Sequence, residues 1–104
     1  DELREIGSRT ISYRQVGVDL QARKLQMLHE RYAPGADTGQ TLLQHEAEEA
    51  GLIISGHLEV TVGETTRLLG PGDAYLFDSR IPHRFRNPGR IECVLVSACT
   101  PPSF

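Results

Sequence analysis

The chain lacks an excess of positive charge. Its 11 Lys and Arg stand against 14 Asp and Glu, for a formal charge of -3. A nucleic-acid backbone is gripped chiefly by clustered basic side chains, so a domain of this charge does not hold DNA itself. Arg80, Arg84, Arg86 and Arg90 gather in one region, but acidic residues offset them over the whole chain. No apolar run is long enough to cross a bilayer and no signal peptide is read, so no membrane partner is expected. Cysteine is scarce. Cys93 and Cys99 fall on one expected strand, and the strand rise puts them about 20 Å apart, too far for a disulfide within it. They read as reduced thiols of a cytoplasmic protein. Internal repeats, low-complexity tracts and sustained helical periodicity are also missing.

What is present is a chain of 104 residues, the size of one domain. Such a domain buries roughly two-thirds of its unfolded surface, enough for one core with little margin, so a partner subunit would help. The start at Asp1, without Met, suggests a fragment or a processed chain with something missing upstream. The punctuation is that of an all-β protein. "APGADTG", "ISGH", "VGET", "GPGD", "NPG" and "TPP" are turn clusters. Between them lie segments of strand length: "KLQMLHERY", "TLLQHE", "AGLIIS", "HLEVTV", "TRLLG", "DAYLFD", "HRFRN" and "IECVLVSA". Leu58, Val60 and Val62 alternate with His57, Glu59 and Thr61, as in a half-buried strand. Short strands at this spacing predict a sandwich or barrel. Residues 1–10 are polar enough for an arm or a short helix. The expected division is an N-terminal arm or first strand over 1–20 and a barrel over 21–104.

Two stretches carry chemistry. In "QHEAEEAGLIISG", His45 and Glu49 fall at the ends of two segments that a tight hairpin would place face to face, with Cβ atoms about 5 Å apart. Leu43 shares the face of His45. In "GPGDAYLFDSRIPHRFRN", His83 follows Pro82, and Phe85 shares its face while Arg84 and Arg86 point away.

These two stretches resemble the paired motifs of the cupin superfamily. His45, Glu49 and Gly56 match the second His, the Glu and the closing Gly of the first motif. Gly72, His83 and Asn87 match the second, with Asp78 and Arg80 where that motif has proline and glycine. The resemblance implies an all-β double-stranded β-helix, a jelly-roll barrel in a single domain. It also implies a metal site of His45, Glu49 and His83, which would suit Zn, Fe, Ni or Mn. Leu43 stands where the family's first ligand His belongs, as expected where metal binding is no longer needed. "YLFDSRIPHRFRNPG" and the terminal "TPPSF" narrow the likeness to the C-terminal sensor domain of helix-turn-helix regulators of the XRE type.

That narrower likeness implies a small-molecule effector, a homodimer, and DNA contact only through an N-terminal domain absent here. The expected pocket is lined by Leu43, His45, Glu49, His83 and Phe85, with Glu49 facing a cationic ligand group, a histidine or a metal. No catalytic residue is assigned. A polyamine, an amino acid, a sugar acid and a metal chelate all remain open as effectors. The alternatives are a metal-dependent oxygenase or isomerase and a non-catalytic small-molecule-binding cupin. The remaining residues have simpler readings. Glu46 and Glu48 fit a solvated turn, and His29 and His57 fit the surface. Arg80, Arg84 and Arg86 fit a solvated edge first and a carboxylate-binding set second. Tyr75 and Phe77 fit the core.

Overall fold

The computed structural model describes residues 3–7, 11–16, 25–39 and 47–101. Its strands, in chain order, are β1 (Leu3–Gly7), β2 (Ile11–Val16), β3 (Gln26–Tyr32), β4 (Glu48–Ser55), β5 (Leu58–Val62), β6 (Thr65–Leu69), β7 (Ala74–Asp78), β8 (His83–Arg86) and β9 (Cys93–Thr100). Strict alternation makes the two longest-range strands. In β9, Cys93, Leu95, Ser97 and Cys99 are buried while Val94, Val96 and Ala98 are half-exposed. In β3, Gln26, Leu28, Glu30 and Tyr32 are buried while Met27 and Arg31 are exposed. A period of two on both strands gives one face to a core and one to the outside.

The strands form two antiparallel sheets. One has the order β1-β2-β3-β9-β4-β7 and the other β6-β5-β8. Their inner faces close on a core of Ile11, Tyr32, Ile53, Leu58, Val60, Phe77, Phe85, Cys93 and Leu95. This is the expected all-β jelly roll. Both cysteines are free, buried, and on the inner face of β9.

Three local devices fix the frame. Gly56 has φ +75°, and a Cβ there would run into the Glu92 backbone, so only glycine fits this turn. Asn87 is fully buried and donates from Nδ2 to the carbonyls of Tyr32 (3.0 Å) and Ile91 (2.8 Å), while its Oδ1 accepts from Gly89 N (3.0 Å). Asp78, in place of the motif proline, accepts from Arg80 N at 2.9 Å and pairs with the Arg80 guanidinium at 3.2 Å.

Two expectations change. Residues 3–7 are not helical: they form β1, paired along its length with β2 at the sheet edge. The hairpin of "TLLQHE" with "AGLIIS" is not available to Glu49. Its cross-strand neighbours are Phe77 of β7 and Cys99 of β9, so both edges of β4 are taken there. The "TLLQHE" segment itself lies outside the described residues.

Candidate functional site

Of the predicted pocket residues, Leu43 and His45 lie outside the described residues. Glu49, His83 and Phe85 all face the barrel interior, from both sheets. Glu49 shares its face with Gly51 and Ile53 of β4, which are buried. His83 and Phe85 are buried on β8. The Nδ1–H of His83 donates to the Ile81 carbonyl at 2.8 Å, because a carbonyl can only accept. That bond fixes the ring and leaves Nε2 for another partner. The ring of His83 lies 4.8 Å from that of Phe77 and 6.0 Å from that of Phe85, both tilted, and Tyr75 stands 5.2 Å from Phe85. His83 is thus one member of an aromatic wall.

The interior also holds a polar cluster that the motifs do not include. Cross-strand partners share a face, so the registers place it. Tyr13 of β2 lies opposite Glu30 of β3, and Gln15 opposite Leu28. Gln26 lies opposite Cys99, and Cys99 opposite Glu49. Ser97 lies opposite Gly51, and Gly51 opposite Tyr75. Glu30 is at the centre. It is buried, and it accepts a hydrogen bond from Tyr32 at 3.3 Å and a short one from the Ser97 hydroxyl. Gln26 donates to Gln15 at 3.2 Å beside it.

Burial pushes the Glu30 carboxyl up to about 7, against the pull of its two hydroxyl donors. Burial and then the Glu30 charge push Glu49 up to about 7 as well. Desolvation also holds the Tyr13 hydroxyl up, and those of Tyr32 and Tyr75 well up, so all three stay neutral donors. Among the described residues no Lys or Arg is buried. Among the described residues the interior therefore concentrates acidic oxygens and hydroxyls with no Lys or Arg to meet them.

Tyr75 is held over this cluster by an absence. A Cβ on Gly51 would overlap the Tyr75 ring and hydroxyl, so the glycine leaves the slot in which the ring lies. The buried Tyr75 hydroxyl has no hydrogen bond of ordinary geometry among the described residues. It does lie near enough to Glu49 to favour that group's ionised form. Tyr75 and Phe77 also wall a cleft of about 250 Å³ between β6 and β7, with Val60, Val62 and Leu69 opposite and Arg67 at its lip. Tyr75 is accordingly part of the site as well as of the core.

Two of the three expected metal ligands, Glu49 and His83, lie on the interior face of β4 and β8. Among the described residues no group of three His, Cys, Asp or Glu side chains could hold an ion. Glu49 is coupled to Glu30 and Tyr75, and the fixed His83 ring is packed among phenylalanines. The third member of the expected set, His45, lies outside the described residues.

The arginines of the expected edge are occupied. Arg84 pairs with Asp37 through a short bond, and Arg86 pairs with Glu59 at 3.0 Å through two nitrogens. Their side chains stay substantially exposed, which fits a solvated edge. The Arg84 guanidinium holds Asp37 down to about 2, and that of Arg86 lowers Glu59.

Comparison with known proteins places this geometry. The sequence matches the family description "Cupin domain" over residues 28–99. It is 35% identical over its whole length to the HTH-type transcriptional regulator PuuR of Escherichia coli (strain K12), and it spans 56% of that protein. The chain thus covers about half the length of the curated regulator it matches. Among solved structures it is similar to the Cupin_2 domain of an XRE family transcriptional regulator from Enterobacter cloacae. That likeness has TM-score 0.81 and 22% identity, and covers 91% of this chain and 100% of that one. It is similar also to KdgF from Halomonas sp., with TM-score 0.81 and 16% identity, covering 99% and 88% of the two chains. At these identities the structural likeness bears on the fold.

Proposed function

The chain belongs to the cupin domain family, and from that premise we propose that it is the effector-binding domain of a helix-turn-helix transcriptional regulator, taking an effector that carries a protonated amine. The homology to such a regulator supports the first part. The second rests on one observation: Glu30 is buried and Glu49 half-buried inside the barrel, and among the described residues no Lys or Arg is buried with them. Two carboxylates in low dielectric are costly unless a cation or protons neutralise them. An ammonium group would do so, among the hydroxyls of Tyr13, Tyr32 and Tyr75 and the amides of Gln15 and Gln26 on the same inner face. His83 and Phe85 would form the aromatic wall, where a cation or its alkyl chain packs well.

In the longer protein, DNA contact would come from a separate domain, and a homodimer would match two operator half-sites. An effector changes output only if it binds one dimer arrangement better than the other, and about 1–3 kcal/mol of coupling suffices. The test is operator binding by the longer protein in which this chain lies, titrated with aliphatic amines. A several-fold change in DNA affinity is expected. Operator binding that ignores every amine bound by the barrel would overturn the proposal. A divalent metal on His45, Glu49 and His83 is the competing occupant. Elemental analysis showing one metal per chain, lost in a Glu49→Ala variant, would favour it.

A further inference from the structure

β6 carries its side chains the wrong way round for the edge of a sandwich. Cross-strand partners share a face, so the registers put Arg67 of β6, Val60 of β5 and Phe85 of β8 in one row. Val60 and Phe85 belong to the core. Arg67 therefore stands on the core-facing side. Thr65 and Leu69 stand with it, opposite Val62 and Leu58 respectively. The apolar Leu68 takes the outer side instead and is 60% exposed. An inward charge on an edge strand does hinder pairing with another chain. That role needs no hollow behind the charge, and here there is one.

β6 and β7 each end their sheet, and the cleft of about 250 Å³ lies between them. Thr65 and Arg67 are exposed, so the opposite sheet does not cover the inner side of β6. Val60, Val62, Leu69, Tyr75 and Phe77 give the cleft apolar walls. Among the described residues no acidic side chain lines it, and its charged group is Arg67, with Thr65 beside it on the same face. Arg31, Arg80, Arg84 and Arg86 each face a carboxylate of the chain, whereas Arg67 faces none among the described residues. Its charge is also not among the influences on Glu30 or Glu49. The cleft and the carboxylate cluster are thus electrostatically separate. A guanidinium without a partner suits a carboxylate, which it can hold through two parallel N–H bonds. The apolar walls suit a hydrocarbon chain behind that carboxylate. The volume is below the roughly 300–1,000 Å³ of sites for drug-sized molecules, so the chain is a short one.

We propose that this cleft is a second ligand site, one that takes a short aliphatic carboxylate, with the anionic group on Arg67 and the chain against Val60, Leu69 and Phe77. The site does not depend on whether the barrel interior takes an amine.

The test is titration of the chain with octanoate and with octanol, followed by amide chemical shifts in solution. Octanoate is expected to bind with a Kd on the order of 1 mM or below and to move the amides of Thr65, Arg67 and Tyr75. Octanol, which has the chain without the charge, should bind about tenfold more weakly. Arg67→Gln should abolish that preference, and Arg67→Lys should keep most of it. Thr65→Trp, which fills the mouth at an exposed position, should weaken both ligands. Glu30→Gln/Glu49→Gln should leave octanoate binding unaltered, which separates this site from the amine site. The spectrum of each variant without ligand reports whether it folds. Octanol bound as well as octanoate would leave Arg67 as edge protection alone and overturn the proposal. An octanoate preference that survives Arg67→Gln, shifts that fall outside β5, β6 and β7, or no binding of octanoate would overturn it as well.

Discussion

Asp37 and Glu59 stand beside β8, each against an arginine, and are held in their ionised form. Glu30 and Glu49 stand inside the barrel, against hydroxyls and each other, and are pushed toward their neutral form. The same functional group has been treated in opposite ways within one small domain. On the surface the chain supplies its own counter-charge, although water would have served, and exposed pairs of this kind add little stability. In the interior a counter-charge would matter most, and the described residues supply none. That inversion is costly for the empty protein and useful to one that must respond to a cation. Destabilising groups retained together in an interior are what the proposed amine site rests on.

The contrast breaks most sharply when the interior pair is neutralised. Glu30→Gln with Glu49→Gln should weaken binding of a primary amine by about 100-fold or more, as loss of a buried charge partner does. The same double variant should stabilise the empty protein at pH 8 by roughly 1–3 kcal/mol, read from denaturant midpoints. Loss of both binding and stability would mean that the carboxylates are structural.

Gly51→Ala comes next. Its methyl group needs the space of the Tyr75 ring, and overpacking of this sort costs about 1–3 kcal/mol. It should also lower amine affinity by displacing Tyr75 from Glu49. Tyr75→Phe sharpens the point, because it removes only a buried hydroxyl with no ordinary partner among the described residues. It should leave stability unchanged or raised while amine binding still weakens.

A pH series separates the two regions in one experiment. Both interior carboxyls titrate near 7 when folded and near 4.5 when unfolded. Between those values the folded chain holds protons that the unfolded chain has released. The empty protein should therefore lose stability as pH rises from about 4.5 to 7. Amine affinity should rise over the same window, by on the order of 100-fold for each carboxyl that must ionise, with protons released on binding. Asp37 runs the other way: its stabilising effect is present above about 3.8 and is lost as pH falls toward 2. The smallest effect is that of Asp37→Asn, which should cost at most about 1 kcal/mol and leave amine binding unaltered.

The frame was more legible in the sequence than the site, for a physical reason. Gly56 and Asn87, which made the motifs recognisable, act over short range: one permits a left-handed turn, and the other ties its own loop together. Such residues leave a spacing that a linear reading detects. Turn clusters and period-two alternation likewise placed β3 to β9 within a few residues. Glu30 also sat in a readable strand, on the face of Leu28 and Tyr32. What gives it a place in the proposed site is its bond to Ser97, 67 positions away, and the reach of its charge to Glu49 across β9. Those neighbours follow from the strand order of a jelly roll, which no local pattern contains. The hairpin expectation at Glu49 failed for the same reason, since β7 and β9 arrive from far along the chain to take both edges of β4. Tyr75 read as core because nothing in its own strand announces that Gly51 opens a slot for it.

The central claim of the proposal is that Glu30 and Glu49, which no buried Lys or Arg meets among the described residues, take up a cation. Isothermal titration at pH 8 tests it most directly. The panel would hold aliphatic amines, amino acids, sugar acids and divalent metal salts, run against the wild type and the Glu30→Gln/Glu49→Gln variant. The account predicts that amine-bearing compounds bind the wild type and fail on the variant. Binding of a sugar acid with no response to any amine, or amine binding that survives in the variant, would contradict it.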